Sequence, residues 1–194
     1  MLQPDTSLAG ALRDLRTQER PAPKTAAHGD LRLDQFLHAD GRLYFCDWEE
    51  FRMADPARDV GGFAGEWLYR AVLGVQGQED PGADGHPGSD PDSTWSGPRH
   101  LSHQEVVARG VRELNRLRTR TAAFWDGHRS TRTAADPGLA VRAAAFAGWH
   151  LIDRMLAAAE ARPAVTAVDR AAARIGRSAV LRPGKFAAVL GLEE

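Results

Sequence analysis

Cysteine is almost absent from this chain. Cys46 stands alone among 194 residues, so no internal disulfide can form, which fits a reducing cytoplasm. A surplus of one charge is lacking too: 25 Lys and Arg face 26 Asp and Glu, a formal net charge of −1. That balance gives no overall electrostatic case for a nucleic-acid partner. Lysine is scarce. Only Lys24 and Lys185 occur, beside abundant arginine and alanine, which we read as a high-GC coding bias and not as a binding signal. No apolar run approaches the length of a membrane span. Residues 1–10, with Pro4 and Asp5, lack the apolar centre of a signal peptide. What is present is ordinary for a globular domain: 43% hydrophobic and 26% charged residues. The length suits one cytoplasmic domain, residues 1–194, with a sizeable core and no membrane or nucleic-acid contact.

The periodicity is mainly helical. Leu8, Ala11, Leu12 and Leu15 recur at helical spacing, with Thr6 or Ser7 capping the start and Pro21 stopping the helix after Glu19. Arg20–Ala27 reads as a loop. Two short apolar runs follow, Gln35–His38 and Leu43–Cys46, separated by Ala39-Asp40-Gly41-Arg42. Asp-Gly between apolar runs predicts an antiparallel hairpin, since glycine accepts positive φ cheaply. Helices are expected over Asp59–Leu73, Ser102–Trp125, Gly138–Ala161, Thr166–Ile175 and Pro183–Leu190, and Gly127 is expected as a helix stop. Residues 75–99, rich in Gly, Pro, Asp and Ser, read as a mobile loop.

Chemistry concentrates between His28 and Asp59. Asp30 enters the first strand of the expected hairpin and Asp47 leaves the second, so a returning chain puts both acids at one end. Gln35 opens the first strand, five residues after Asp30. Two carboxylates and an amide at one hairpin end suit a hard cation with oxygen ligands. One carboxylate then stays free to accept a proton. That is the apparatus of phosphoryl transfer, in which an Asp takes the hydroxyl proton, an amide meets metal, and a later Asp holds the main Mg²⁺. His28 reads as a residue that braces the loop through a backbone hydrogen bond. Arg32 and Asp34, inside the same loop, are candidates to touch the acceptor or a phosphate. His100 and His103 have helical spacing but no accompanying acid or cysteine, which argues against a metal site. Trp149, His150 and Asp153 read as core with one polar edge.

His28-Gly29-Asp30, Gln35, Asp47-Trp48-Glu49, Asp55-Pro56 and Asp59-Val60 together resemble the aminoglycoside phosphotransferase and choline kinase-like superfamily. The resemblance implies a mainly α fold with a small β-hairpin, the protein-kinase-like C-terminal lobe. It implies ATP and Mg²⁺ as cofactors, Asp30 as catalytic base, Asp47 as Mg²⁺ ligand, Gln35 as second metal-side ligand and Asp59 as a buried structural acid. Glu49 lies in the same motif. Gln35 stands where the family most often has Asn, as in some maltokinase-like relatives. Asp126, Asp153 and Glu160 lie on C-terminal helices, where the family places acceptor contacts.

A kinase also needs a strand-rich cover for ATP, with a lysine on a strand and a glutamate to pair with it. Only 29 residues precede Asp30, and their single lysine, Lys24, lies in a Pro-bounded loop. The N-terminal lobe is therefore expected to be absent. A truncated chain, a second chain supplying the lobe, and a pseudokinase-like binding module all remain open. Without the lobe the chain is expected to bind ATP weakly and to expose an apolar patch at Leu33, Phe36, Phe45 and neighbours. Residues 171–192 and the helix before them are more loosely similar to kinase components of class V lanthipeptide and thioamitide biosynthesis. That similarity implies a Ser or Thr of a precursor peptide as acceptor, with a lyase as partner. The alternatives are a small-molecule kinase for an aminoglycoside, macrolide or sugar, and a non-catalytic partner of a lyase.

Overall fold

The computed structural model describes residues 5–75, 102–132 and 135–193. Six helices are described: α1 (Thr6–Glu19), α2 (Ala57–Val75), α3 (His103–Ser130), α4 (Leu139–Ala161), α5 (Ala167–Leu181) and α6 (Pro183–Leu190). Four short strands lie between α1 and α2: β1 (Thr25–Ala27), β2 (Phe36–Ala39), β3 (Arg42–Phe45) and β4 (Arg52–Ala54). The fold is mainly helical with a small antiparallel hairpin, as the sequence patterns predict.

Local chemistry sets the helix ends. The Asp5 carboxylate accepts from Leu8 N at 3.0 Å and starts α1. Ser102 with Glu105, and Thr166 with Asp169, form reciprocal capping boxes at α3 and α5. Pro183 opens α6, and Gly191, in the left-handed region, closes it. Gly127 does not stop α3, which runs on to Ser130; a single glycine costs a helix only about 1 kcal/mol, and packing of the flanking turns overrides it. Of the expected loop over 75–99, only Val75 is described, and it is the last residue of α2. His100 also lies outside the described residues.

The core forms around α4. Ala143, Ala144, Ala147 and Leu151 are fully buried there, against Ala57, Val60 and Ala64 of α2 and Ala172 and Ala179 of α5. Small side chains let the helices approach closely. Gly148 of α4 and Gly176 of α5 meet so tightly that a Cβ on either would lie 2.5 Å from the other's carbonyl oxygen.

Buried ion pairs cross the same interfaces. Arg142 of α4 reaches Asp55 at 2.6 Å and Asp136 at 2.7 Å. Glu66 of α2 meets His150 Nε2 at 2.6 Å and also pairs with Arg154. His150 is thus the polar edge expected on α4, with a buried acid as its partner.

Two two-stranded antiparallel sheets precede this bundle. In one, β2 pairs with β3, Phe36 opposite Phe45 and Ala39 opposite Arg42. The pairing lies one residue from the expected Gln35–His38 and Leu43–Cys46. Gln35 closes a 3-10 turn, Leu33–Gln35, instead of opening the strand. Asp40 and Gly41 both take positive φ, 51° and 71°, as a two-residue hairpin turn requires. In the other sheet, β1 pairs with β4, Thr25 opposite Ala54. The loop reading of residues 20–27 misses β1, because three residues are too few to show an alternation. Ring contacts anchor the hairpin to the bundle: Phe36 lies on Phe45 and Phe63, and Phe63 stacks on Phe124 of α3 at 4.1 Å.

Candidate functional site

The segment His28–Asp30 leaves β1 and is held from two sides. The Asp59 carboxylate, in the first turn of α2, accepts the His28 N–H at 2.7 Å and the Gly29 N–H at 2.9 Å. Charge-assisted bonds of this kind are the stronger class. Asp59 is half-buried, where the resemblance implied a buried acid. Gly29 has φ +91°, and a Cβ there would sit 2.6 Å from the Glu50 carbonyl oxygen. Only glycine fits that backbone.

His28 is 3% exposed, and its Nε2 lies 2.8 Å from the Cys46 carbonyl oxygen. A carbonyl only accepts, so Nε2 carries the proton. The ring also lies against Trp48, with centroids 4.8 Å apart. His28 therefore braces backbone, as expected. Its bond ties the residue two before Asp30 to the residue one before Asp47.

Gln35 and Asp47 come together: the Gln35 amide nitrogen donates to Asp47 Oδ2 at 3.2 Å. The Gln35 amide oxygen faces Cys46 Sγ at 3.4 Å. Gln35 is buried at 6% exposure while Asp47 is open to solvent. Asp47 adopts φ 64°, ψ 57°. Left-handed backbone at a non-glycine residue is uncommon and costly, and such strain gathers at functional positions.

Asp30 is half-exposed and pairs with Arg32, whose Nε lies 3.0 Å from Asp30 Oδ2 and 3.7 Å from Asp34 Oδ1. Arg32 thus contacts the candidate base itself. Glu49 is exposed, in the 3-10 turn after Asp47. Among the described residues no group of three or more His, Cys, Asp or Glu is placed to hold a metal. His103, at the start of α3, belongs to no such group.

Two contacts next to the loop have no signal in the sequence, although Asp55 itself stands in the motif. Asp55 is fully buried; it accepts from Ala57 N and from both Nε and Nη2 of Arg142. It thereby fixes the start of α2, which follows β4 and carries Asp59 in its first turn. Burial alone disfavours the Arg142 charge, but the hydrogen bonds and charges of Asp55 and Asp136 outweigh it and raise its pKa. His128, in the last turn of α3, feels the Asp59 charge. Burial and the neighbouring Arg132 charge lower its pKa, and Asp59 opposes them.

The apolar patch differs from the expected one. Leu33 and Phe36 are half-buried. Phe45 is exposed as expected, and the other exposed apolar side chains around the hairpin are Leu37, Leu43, Tyr44, Trp48, Phe51 and Met53. Farther away, Asp126 lines an open cavity of about 520 Å³ with Asn115, Arg118, Thr119 and Glu193. Asp153 and Glu160 are exposed on α4. None of the three is recorded in contact with the His28–Asp59 loop.

A scan against protein-family models and a search of curated proteins each find no match to this chain.

Proposed function

We propose that this chain is the catalytic-loop lobe of a kinase-like phosphotransferase, related to the aminoglycoside phosphotransferase superfamily. The observation that carries the reading is the double tether of His28 and Gly29. Their amides bind Asp59, and the His28 ring binds the Cys46 carbonyl. A catalytic loop needs such rigid support, because a small misplacement of the reacting groups costs rate steeply.

In this reading Asp30 accepts the proton of the acceptor hydroxyl. Arg32, whose Nε lies 3.0 Å from Asp30 Oδ2, holds that carboxylate in place. Asp47 meets Mg²⁺. It fits that role as an exposed carboxylate paired with no cation among the described residues, since Mg²⁺ takes one or two carboxylates and completes its shell with water and phosphate. Gln35 fits less well as an oxygen ligand, because its oxygen faces Cys46; its amide N–H orients Asp47. When bound, Mg²⁺–ATP supplies the γ-phosphoryl group and neutralises developing charge.

The acceptor we favour is a Ser or Thr hydroxyl of a precursor peptide in lanthipeptide-type biosynthesis. The similarity over residues 171–192 supports it. The turned Gln35 amide favours a second reading, a non-catalytic partner of a lyase.

Calorimetric titration with Mg²⁺–ATP, beside a phosphoryl-transfer assay on Ser/Thr peptides and on an aminoglycoside, tests the assignment. Asp47→Ala is expected to abolish Mg²⁺–nucleotide binding. Asp30→Ala is expected to keep it and to lower turnover about 10²–10⁴-fold. Parent-rate transfer by both variants overturns the roles, and failure to bind Mg²⁺–ATP even when a strand-rich ATP-covering lobe is supplied in trans favours the non-catalytic reading.

A further inference from the structure

Helices α2 and α3 run antiparallel, and three contacts fix their register. A Cβ on Gly74 would lie 2.8 Å from the Glu113 carboxyl carbon. The Arg120 guanidinium lies 4.2 Å from the centre of the Trp67 ring. Phe63 stacks on Phe124 at 4.1 Å. Each step toward the start of α2 is matched by an equal step toward the end of α3. Residues four apart share a helix face. The next turn therefore sets Asp59, one turn before Phe63, opposite His128, one turn after Phe124. Asp59 is the carboxylate that holds the His28 and Gly29 amides. His128 thus stands beside the group that tethers the loop.

The His128 Nε2 atom is buried and has no hydrogen-bond partner among the described residues. The ring stacks on Trp125, with 21° between the planes. The charged groups that face it come from two elements. Asp59 faces it from α2, and Arg132 from the turn after α3, with Asp136 as the carboxylate partner of that arginine. Burial and the Arg132 charge favour the neutral ring, and the Asp59 charge works against them. The ring is therefore neutral near pH 7 and takes a proton only below its ordinary value of 6.5. A protonated imidazole donates from both nitrogens, and the acceptor across the helix interface is Asp59.

We propose that His128 is a positioning residue for the His28–Asp30 loop, which tightens or slackens the Asp59 tether with pH. Neutral, it leaves both Asp59 oxygens to the His28 and Gly29 amides. Protonated, it competes for the carboxylate, so the two charge-assisted bonds weaken and the segment that carries Asp30 loosens. An effect on turnover rests on the phosphoryl-transfer reading. The tether does not, so it is tested without nucleotide or Mg²⁺, and its failure leaves that reading standing.

The test is a nuclear magnetic resonance titration of the whole chain from about pH 8 to about pH 5. It follows the His128 ring beside the His28 and Gly29 amides. The ring is expected to titrate below 6.5, and both amides to shift along the same curve. Their protection, corrected for intrinsic exchange, is expected to fall about fivefold across that step, near the worth of one hydrogen bond. Amides of α4 and α5 are expected to keep theirs. His128→Gln is expected to abolish the titration of both amides, with folding checked by circular dichroism. Arg132→Gln is expected to move the ring's midpoint up, and Asp59→Asn to move it down. These two variants keep His128 and carry the test if His128→Gln does not fold. Amides that still titrate in His128→Gln follow another group, such as the His28 ring, and overturn the proposal. So does a ring midpoint that Asp59→Asn leaves in place.

Discussion

The helical bundle and the hairpin unit are built on opposite plans. The bundle closes on alanine and glycine: Ala57, Ala143, Ala144, Ala147, Ala172 and Ala179 are all buried to 1% exposure or less. Its charges are buried and paired. The bundle buries its large apolar residues, such as Leu117, Trp125 and Leu151, whereas the hairpin keeps Leu37, Leu43, Tyr44 and Phe45 in solvent. Its acids Asp47 and Glu49 pair with no cation among the described residues. Stability resides where the side chains are small and the backbones close. Chemistry resides where the chain is tethered at a few points and otherwise open. The two regions meet at Asp55 and Asp59, four residues apart in sequence: one faces the bundle through Arg142, the other holds the loop through His28 and Gly29.

The largest effects are expected on the bundle side of that junction. Arg142→Met leaves Asp55 buried without its counter-charge and Asp136 with Arg132 alone, at 3.8 Å, which costs about 3–5 kcal/mol. Urea unfolding measures it; a loss below 1 kcal/mol would show that the junction is less dependent on this pair than its burial implies. Gly176→Ala comes next, at about 1–3 kcal/mol, because the new Cβ meets the Gly148 carbonyl oxygen at 2.5 Å. Acid tests the same side. Burial raises the Glu66 carboxyl, but the His150 hydrogen bond and the Arg154 and His150 charges outweigh it and hold the group below its usual range. Asp136 is lowered in the same way against its own burial, by Arg142 and then Arg132. A lowered carboxylate gives stability that is full above the unfolded value, near pH 4, and is lost as pH falls through the folded one. The melting temperature is therefore expected to drop steeply below about pH 4, and a flat acid limb would contradict the pairing.

At the junction itself, Asp59→Ala removes the acceptor of two backbone N–H groups. A global cost of about 2 kcal/mol is expected. The sharper readout is local: His28 and Gly29 amides should exchange faster while α4 and α5 amides change only by the global shift. Equal acceleration everywhere would erase the distinction between tether and bundle.

Much of this division was legible in the residues. Asp40-Gly41 fixed the hairpin turn, since both positions need positive φ, and prolines marked the end of α1 and the start of α6. Asp5, however, and not Thr6 or Ser7, caps α1, and α3 and α5 run past Trp125 and Ile175 to Ser130 and Leu181. Asp30, Gln35, Asp47 and Asp59 were visible as a spaced set, because loop chemistry depends on residue type at short separation. The exact strand register was not visible, because Gln35 and Phe36 differ in polarity but not in any turn signal. Nor was β1, whose three residues pair with β4 across the intervening residues 28–51. Arg142 was illegible for a related reason. Its partner Asp55 lies 87 residues away, and one arginine in an alanine-rich helix carries no mark of burial. The orientation of the Gln35 amide depends on Cys46 and Asp47 together, which spacing alone does not define.

The smallest effect is expected in the hairpin. Leu43 is 55% exposed, so folding removes little of its surface from water, and threonine suits a strand as well as leucine does. Leu43→Thr should change stability by no more than about 0.5 kcal/mol, as for surface positions that touch no special feature. The hairpin's hold on the bundle runs instead through Phe36, Phe63 and Phe124, which the substitution leaves intact. Urea unfolding of the variant beside the parent, at equal concentration, is the measurement. A loss above 1 kcal/mol would mean that Leu43 is covered in solution, by another copy or by chain outside the described residues. Repeating the titration at tenfold dilution separates those cases, since only cover by another copy weakens with concentration.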